Sequence, residues 1–176
     1  MRPTLIVLSG PPACGKSKLA RVLAARHGFA HLEMDRFRLR LLPGSQSTRE
    51  NRRVALRAMH LTAESLLRRR TTVILDASYR LAEDRQQARE AALAAGAAFA
   101  LVEFTVPLEM ALSRCRARRG RHPGDDLTDE RVTELATRFP FTGEGLTVDG
   151  ALPLRQRVAA VERYLGIRSN RPAGRR

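Results

Sequence analysis

Cysteine, lysine and long apolar runs are all scarce in this chain of 176 residues. The two cysteines, Cys14 and Cys115, lie far apart and fit no metal-ligand spacing. That excludes a disulfide framework and argues against a structural zinc site. No segment approaches the roughly 18 consecutive apolar residues of a membrane span, so no membrane partner is expected. Only Arg2 precedes the short apolar segment 4–8, which lacks the longer apolar region and cleavage site of a signal peptide. A cytoplasmic location is the expectation. No internal repeat is present. One domain is expected over residues 1–166, followed by a basic tail, 167–176, expected to be disordered.

Lysine occurs only at positions 16 and 18, so 30 of the 32 basic residues are arginine, against 18 acidic ones. The resulting net charge of +14 attracts polyanions, nucleic acid first among them. An arginine-for-lysine bias along a whole chain also fits a codon-composition effect. Charge alone therefore does not name a partner.

What is present is an ordinary globular composition, 43% apolar and 28% charged, in a chain long enough for its own core. Apolar, β-branched runs alternate with helical patterns, the signature of an α/β protein with a parallel sheet of about five strands flanked by helices. Strands are predicted at 4–9, 29–34, 71–75, 97–105 and 146–148. Helices are predicted at 16–27, 36–42, 50–69, 81–95, 128–139 and 154–165, with another opening at Pro107 and running to about 121. Gly28 and Gly96 are placed as C-terminal caps, and Pro107 stands at a first helical turn, where proline is tolerated.

Residues Gly10-Pro11-Pro12-Ala13-Cys14-Gly15-Lys16-Ser17 match G-x-x-x-x-G-K-[ST] in full, between a predicted strand and a predicted helix. Such a loop curls so that backbone N–H groups point at phosphates, and the next helix adds the positive end of its dipole. Lys16 supplies a mobile charge for β- and γ-phosphates, and the Ser17 hydroxyl is a magnesium ligand. The pattern predicts a P-loop fold that binds ATP with Mg2+. A chance match in a loop of small residues is the competing explanation, and both flanks speak against it. Cys14 could be an acidified thiol among these amides; filling a permissive position is the simpler role.

Ligands of such sheets sit at the carboxyl ends of the strands, where Asp35 and Asp76 are predicted to fall. Asp35 is placed to take the proton of an attacking hydroxyl, or to cap the following helix. Arg38, three residues on, shares its helix face and could clamp an acceptor phosphate, though a lone arginine is more often a solvated one. Asp76 ends an apolar strand and suits magnesium, often through water; it could also simply cap the turn before Tyr79. Ala77 follows where many P-loop ATPases carry a water-activating glutamate, which favours transfer to a hydroxyl over hydrolysis. Arg114, Arg116, Arg118, Arg119 and Arg121 crowd one helix end, as in a kinase lid that closes arginines over the transferring phosphate. With 30 arginines, chance clustering competes with that reading.

Taken together, the Gly10–Ser17 loop, Asp35-x-x-Arg38, Ile74-Leu75-Asp76 and the arginine cluster resemble the kinase domain of phage-type polynucleotide 5′-hydroxyl kinase. They also resemble the wider group of small P-loop kinases that includes zeta toxins and chloramphenicol phosphotransferase. The resemblance runs from Thr4 to about Leu165. It implies Asp35 as general base, Arg38 as a contact to the acceptor's phosphate, and Arg118 or Arg119, with Arg114, as lid arginines. The phage enzyme carries a threonine–asparagine pair after the third-strand aspartate; here Ala77-Ser78 stands there. The leading expectation is a kinase acting on the 5′-hydroxyl end of a nucleic acid. A small-molecule kinase, for an antibiotic, sugar nucleotide or metabolite, is the second. A non-catalytic nucleotide switch would need a guanine-recognition motif such as N-K-x-D, and none occurs.

Overall fold

The computed structural model describes residues 2–118, 120 and 127–167. Strands β1 (Thr4–Ser9), β2 (Ala30–Glu33), β3 (Val73–Asp76), β4 (Ala98–Thr105) and β5 (Leu146–Asp149) form one sheet in the order β2-β3-β1-β4-β5. Every pairing is parallel. Helices α1 (Lys16–His27), α2 (Met34–Leu41), α3 (Arg49–Arg68), α4 (Ala82–Ala94), α5 (Leu108–Ala117), α6 (Asp129–Thr137) and α7 (Leu154–Tyr164) flank it. This is the expected P-loop kinase-like α/β fold.

The two-residue period of β1 explains the layering. Leu5 and Val7 point into one core, packed with Met59, Ala63 and Leu67 of α3 and Ala88 and Ala92 of α4. Ile6 and Leu8 point into the other, with Leu19 and Leu23 of α1 and Val158 and Val161 of α7. From β1 the chain passes to β2 and then β3 on one side, and from β3 it crosses over β1 to β4 and β5 on the other, so the two halves of the sheet run off in opposite directions. A crevice opens at the carboxyl ends where they diverge.

Helix α1 starts and stops as predicted: Gly28 at φ 69° closes it, donating its N–H to the Ala24 carbonyl. Other boundaries move by one to a few residues. Strand β2 ends at Glu33, and α2 begins at once with Met34, because buried Met34 is needed in the core beside Leu32. Asp35 is therefore inside the first turn of α2; the extended Glu33 is the N-cap residue, so Asp35 is not the cap. Helix α6 stops at Thr137, short of the predicted 139, since Pro140 disfavours helical geometry in the residue before it. Its start is capped by Thr128, whose hydroxyl accepts from the Arg131 N–H. Helix α5 ends at Ala117. Arg119, Arg121, the turn 122–126 and the tail from 168 onward lie outside the described residues.

Candidate active site

A cleft of about 650 Å³ opens over the carboxyl ends of β1, β2 and β3. The β1–α1 loop forms one wall. Gly10 (φ 149°) and Gly15 (φ 100°) take conformations that disfavour other residues. A Cβ on Gly10 would come within 2.8 Å of the Phe104 carbonyl oxygen, and one on Gly15 within 2.3 Å of Arg157 Nη1. Lys16 Nζ donates to the carbonyls of Gly10 (2.8 Å) and Pro11 (2.9 Å), with Cys14 Sγ at 3.3 Å, so its ammonium spans the loop.

Gly10, Pro12, Ala13, Gly15, Lys16 and Ser17 line the cleft. Pro11 and Cys14 are buried and do not. Cys14 packs in the second core with Leu8 and Phe104, which suits a space-filling role.

The opposite wall comes from β2, β3 and the helices after them. Asp35 lines the cleft, and its Oδ1 is buried with no hydrogen-bond partner. In the first turn of α2 its negative charge faces the positive end of a helix dipole. Asp76, only 4% exposed, also lines the cleft, and its Oδ2 lies 3.1 Å from His31 Nε2. Parallel register sets Glu33 beside Asp76, and ligand atoms of His31, Glu33 and Asp76 all lie within 4.8 Å of one another. An oxygen-preferring cation fits this chemistry: Ser17 and Asp76 supply oxygens, Glu33 adds a carboxylate, and His31 holds one Asp76 oxygen in place.

Arg38 is not in the cleft. It is 2% exposed, and its Nη1 donates to the Ser45 carbonyl and, at 3.4 Å, to Ser45 Oγ. Its Nε stands 3.9 Å from Asp35 Oδ1. The sequence pattern correctly put Arg38 on the Asp35 face of α2. Its guanidinium reaches the loop before α3 and ties that loop to α2.

The arginines expected in a lid divide. Arg118 lines the cleft just past α5. Arg114 also lines it, but its guanidinium donates to the carbonyls of Ala13 (3.2 Å) and Gly150 (3.1 Å), bracing the phosphate loop against the segment after β5. Arg116 is on the surface, paired with Asp129 at 2.7 Å.

Sequence reasoning missed Arg157 of α7. It is 5% exposed and reaches the Gly15 carbonyl at 3.5 Å. Burial, followed by the nearby Arg114 charge, lowers its pKa. Its signal was an arginine placed on the apolar face beside Val158 and Val161. The basic residues of the acceptor wall, Arg49, Arg52, Arg53 and Arg80, were missed too. Among the described lining residues ten are Lys or Arg and four are Asp or Glu, so the cleft suits strongly anionic ligands.

The family model for an AAA domain, AAA_33, matches residues 5–141. The chain belongs to the AAA_33 family. No curated protein matches this AAA_33 member in sequence. Its fold is similar to that of a gluconokinase from Sinorhizobium meliloti 1021, with 22% identity, TM-score 0.71 and coverage of 94% of this chain and 93% of that one. It is similar to the Mycobacterium tuberculosis APS kinase CysC, solved with AMPPNP and APS, at 21% identity and TM-score 0.73, covering 94% and 98%. It also matches a chain of the Pnkp1/Rnl/Hen1 RNA repair complex at 23% identity and TM-score 0.63, covering 78% of this chain and 44% of that one. At these identities the likeness is one of fold. No helix among the described residues is long and apolar enough to cross a membrane.

Proposed function

We propose that this protein is an ATP-dependent kinase that moves the γ-phosphoryl group onto an acceptor hydroxyl. The observation that carries the reading is one cleft lined at one wall by Lys16 and Ser17 and at the other by Asp35, whose buried Oδ1 has no hydrogen-bond partner. The Asp35 carboxylate takes the hydroxyl proton as that oxygen attacks the γ-phosphorus. The bond from γ-phosphorus to the bridging oxygen breaks, and ADP leaves. Lys16 and Arg118 offset charge on the transferring group. Ser17 and Asp76, both lining the cleft, are the residues that would hold Mg2+, which would supply Lewis-acid charge there. The AMPPNP bound to the similar APS kinase supports the nucleotide part of this reading.

For the acceptor, Arg38 is buried against Ser45 and does not line the cleft, and the fold likeness to a gluconokinase and an APS kinase supports a small hydroxyl compound as the first reading. A nucleic-acid acceptor remains the second reading, supported by the +14 charge and by the fold likeness to the RNA repair chain. The deciding experiment is transfer from γ-labelled ATP across sugars, sugar acids, nucleosides and 5′-hydroxyl oligonucleotides. ATP binding without transfer to any hydroxyl would refute the kinase reading.

A further inference from the structure

The acceptor wall is built with more constraint than a solvated arginine face requires. After β3 the chain turns sharply through Ala77–Arg80, and Tyr79 sits there at φ 47°, a conformation rare for a bulky side chain. Such a conformation persists where surrounding contacts over-determine it, and here they do. The Tyr79 ring is buried, with its hydroxyl 3.0 Å from His60 Nε2. Arg85 Nη1 donates to the carbonyls of Tyr79 (2.7 Å) and Arg80 (3.0 Å). The Ser78 carbonyl accepts from the Gly10 N–H (3.1 Å) and the Ser9 hydroxyl (3.2 Å), which bolts the turn to the phosphate loop. Finally, Arg52 Nη2 donates to Ser78 Oγ at 3.0 Å.

This turn puts Arg80 on the cleft, which Ser78 and, from the start of α3, Arg52 also line. Both arginines are half-buried. Arg49, by contrast, is 78% exposed and pairs with Glu83 at 3.8 Å, as a surface arginine would. Two forked guanidinium groups on one cleft, one of them bonded to a serine hydroxyl, suit a compact oxyanion.

We propose that the acceptor carries a phosphate, sulfate or carboxylate group besides its reacting hydroxyl, and that Arg52 and Arg80 bind that group beside Ser78. This rests on the kinase reading above and assigns the specificity contact to residues other than Arg38. Because the turn is hydrogen-bonded to the phosphate loop, holding the anionic end of the acceptor fixes its hydroxyl relative to the nucleotide.

The test is calorimetric titration of inorganic sulfate and phosphate into two proteins: wild type saturated with Mg2+ and AMPPNP, and Lys16→Ala without nucleotide. Both should bind anion, and Arg52→Gln or Arg80→Gln should each weaken it by roughly 10-fold or more. Arg80→Lys should recover part of the loss, which separates lost charge from lost folding, and circular dichroism checks the fold of each variant. Transfer assays on the pairs glucose and gluconate, adenosine and adenosine 3′-phosphate should favour the anionic member. Anion affinity that ignores both arginines, or equal use of the neutral members, overturns the proposal. Failure of wild type to bind AMPPNP would instead overturn the kinase reading, while the Lys16→Ala titration still decides the anion site.

Discussion

The two walls of the cleft are made in different ways. The phosphate wall is one contiguous stretch, Gly10–Ser17, whose shape follows from its own glycines and the helix that continues it. Arg114 and Arg157 brace it from behind, through the carbonyls of Ala13, Gly150 and Gly15. The acceptor wall is assembled from β2, α2, the start of α3 and the turn after β3, which lie far apart in sequence. A wall of local origin is specified by short-range stereochemistry. A wall of distant origin depends on packing, and its side chains can change role without changing the motif.

The largest effects should strike the local wall. Lys16→Ala removes the loop's central charge and should cut transfer by roughly 10³-fold or more while the domain stays folded; labelled-phosphate transfer and circular dichroism measure the two halves of that statement. Gly15→Ala should be comparably damaging, since φ 100° strains any residue with a Cβ, and that Cβ would also crowd Arg157 Nη1 at 2.3 Å. Gly15→Ala, Arg157→Ala should stay impaired in nucleotide binding; full restoration would show that the collision, not the backbone conformation, is the cause.

On the distant wall, Asp35→Asn should lower transfer by roughly 10²–10⁴-fold with little change in ATP affinity. Asp35→Asn loses the charge that faces the α2 dipole and Arg38, so a small fall in melting temperature is expected with the domain still folded. Near-normal turnover of this variant would place the base elsewhere.

Arg38→Ala sharpens the contrast further. It leaves the Ser45 carbonyl without a buried charged donor and should destabilise the domain by about 2 kcal/mol. Denaturant unfolding should record this loss. A variant with unchanged stability but a raised acceptor KM would return Arg38 to the role its sequence pattern implied.

The smallest effect concerns acidity. Burial lowers the His60 pKa from 6.5 to about 4, so the unfolded chain takes up this proton before the folded one does. The associated stability is fully present above pH 6.5 and is lost progressively as pH falls toward 4. Between pH 6.5 and 5.5 the loss should be about 1 kcal/mol. His60→Gln should flatten that slope in urea titrations. Because His60 holds the Tyr79 hydroxyl, acid should loosen the acceptor turn before the phosphate loop. Hydrogen exchange at 77–80 and 10–17 would order the two.

The same division decides what could be read without coordinates. Strand β1 and helix α1 were legible residue by residue, because alternating apolar residues, a glycine-framed loop and a capping glycine are local signals. Asp35 was legible as a cleft residue, but its place in the helix was not: whether Met34 belongs to strand or helix depends on the core it fills. Arg38 and Arg80 look alike in a chain with 30 arginines. One is buried against Ser45 and the other lines the cleft, a difference created by contacts over distance.

The sequence by itself determined the parallel α/β architecture, the phosphate loop and Asp76 at the end of its strand, since period, turn chemistry and motif spacing are properties of short segments. Only the tertiary structure decided which arginines line the cleft and which support the frame. An arginine side chain is long and always charged, so its role follows from what burial leaves within its reach.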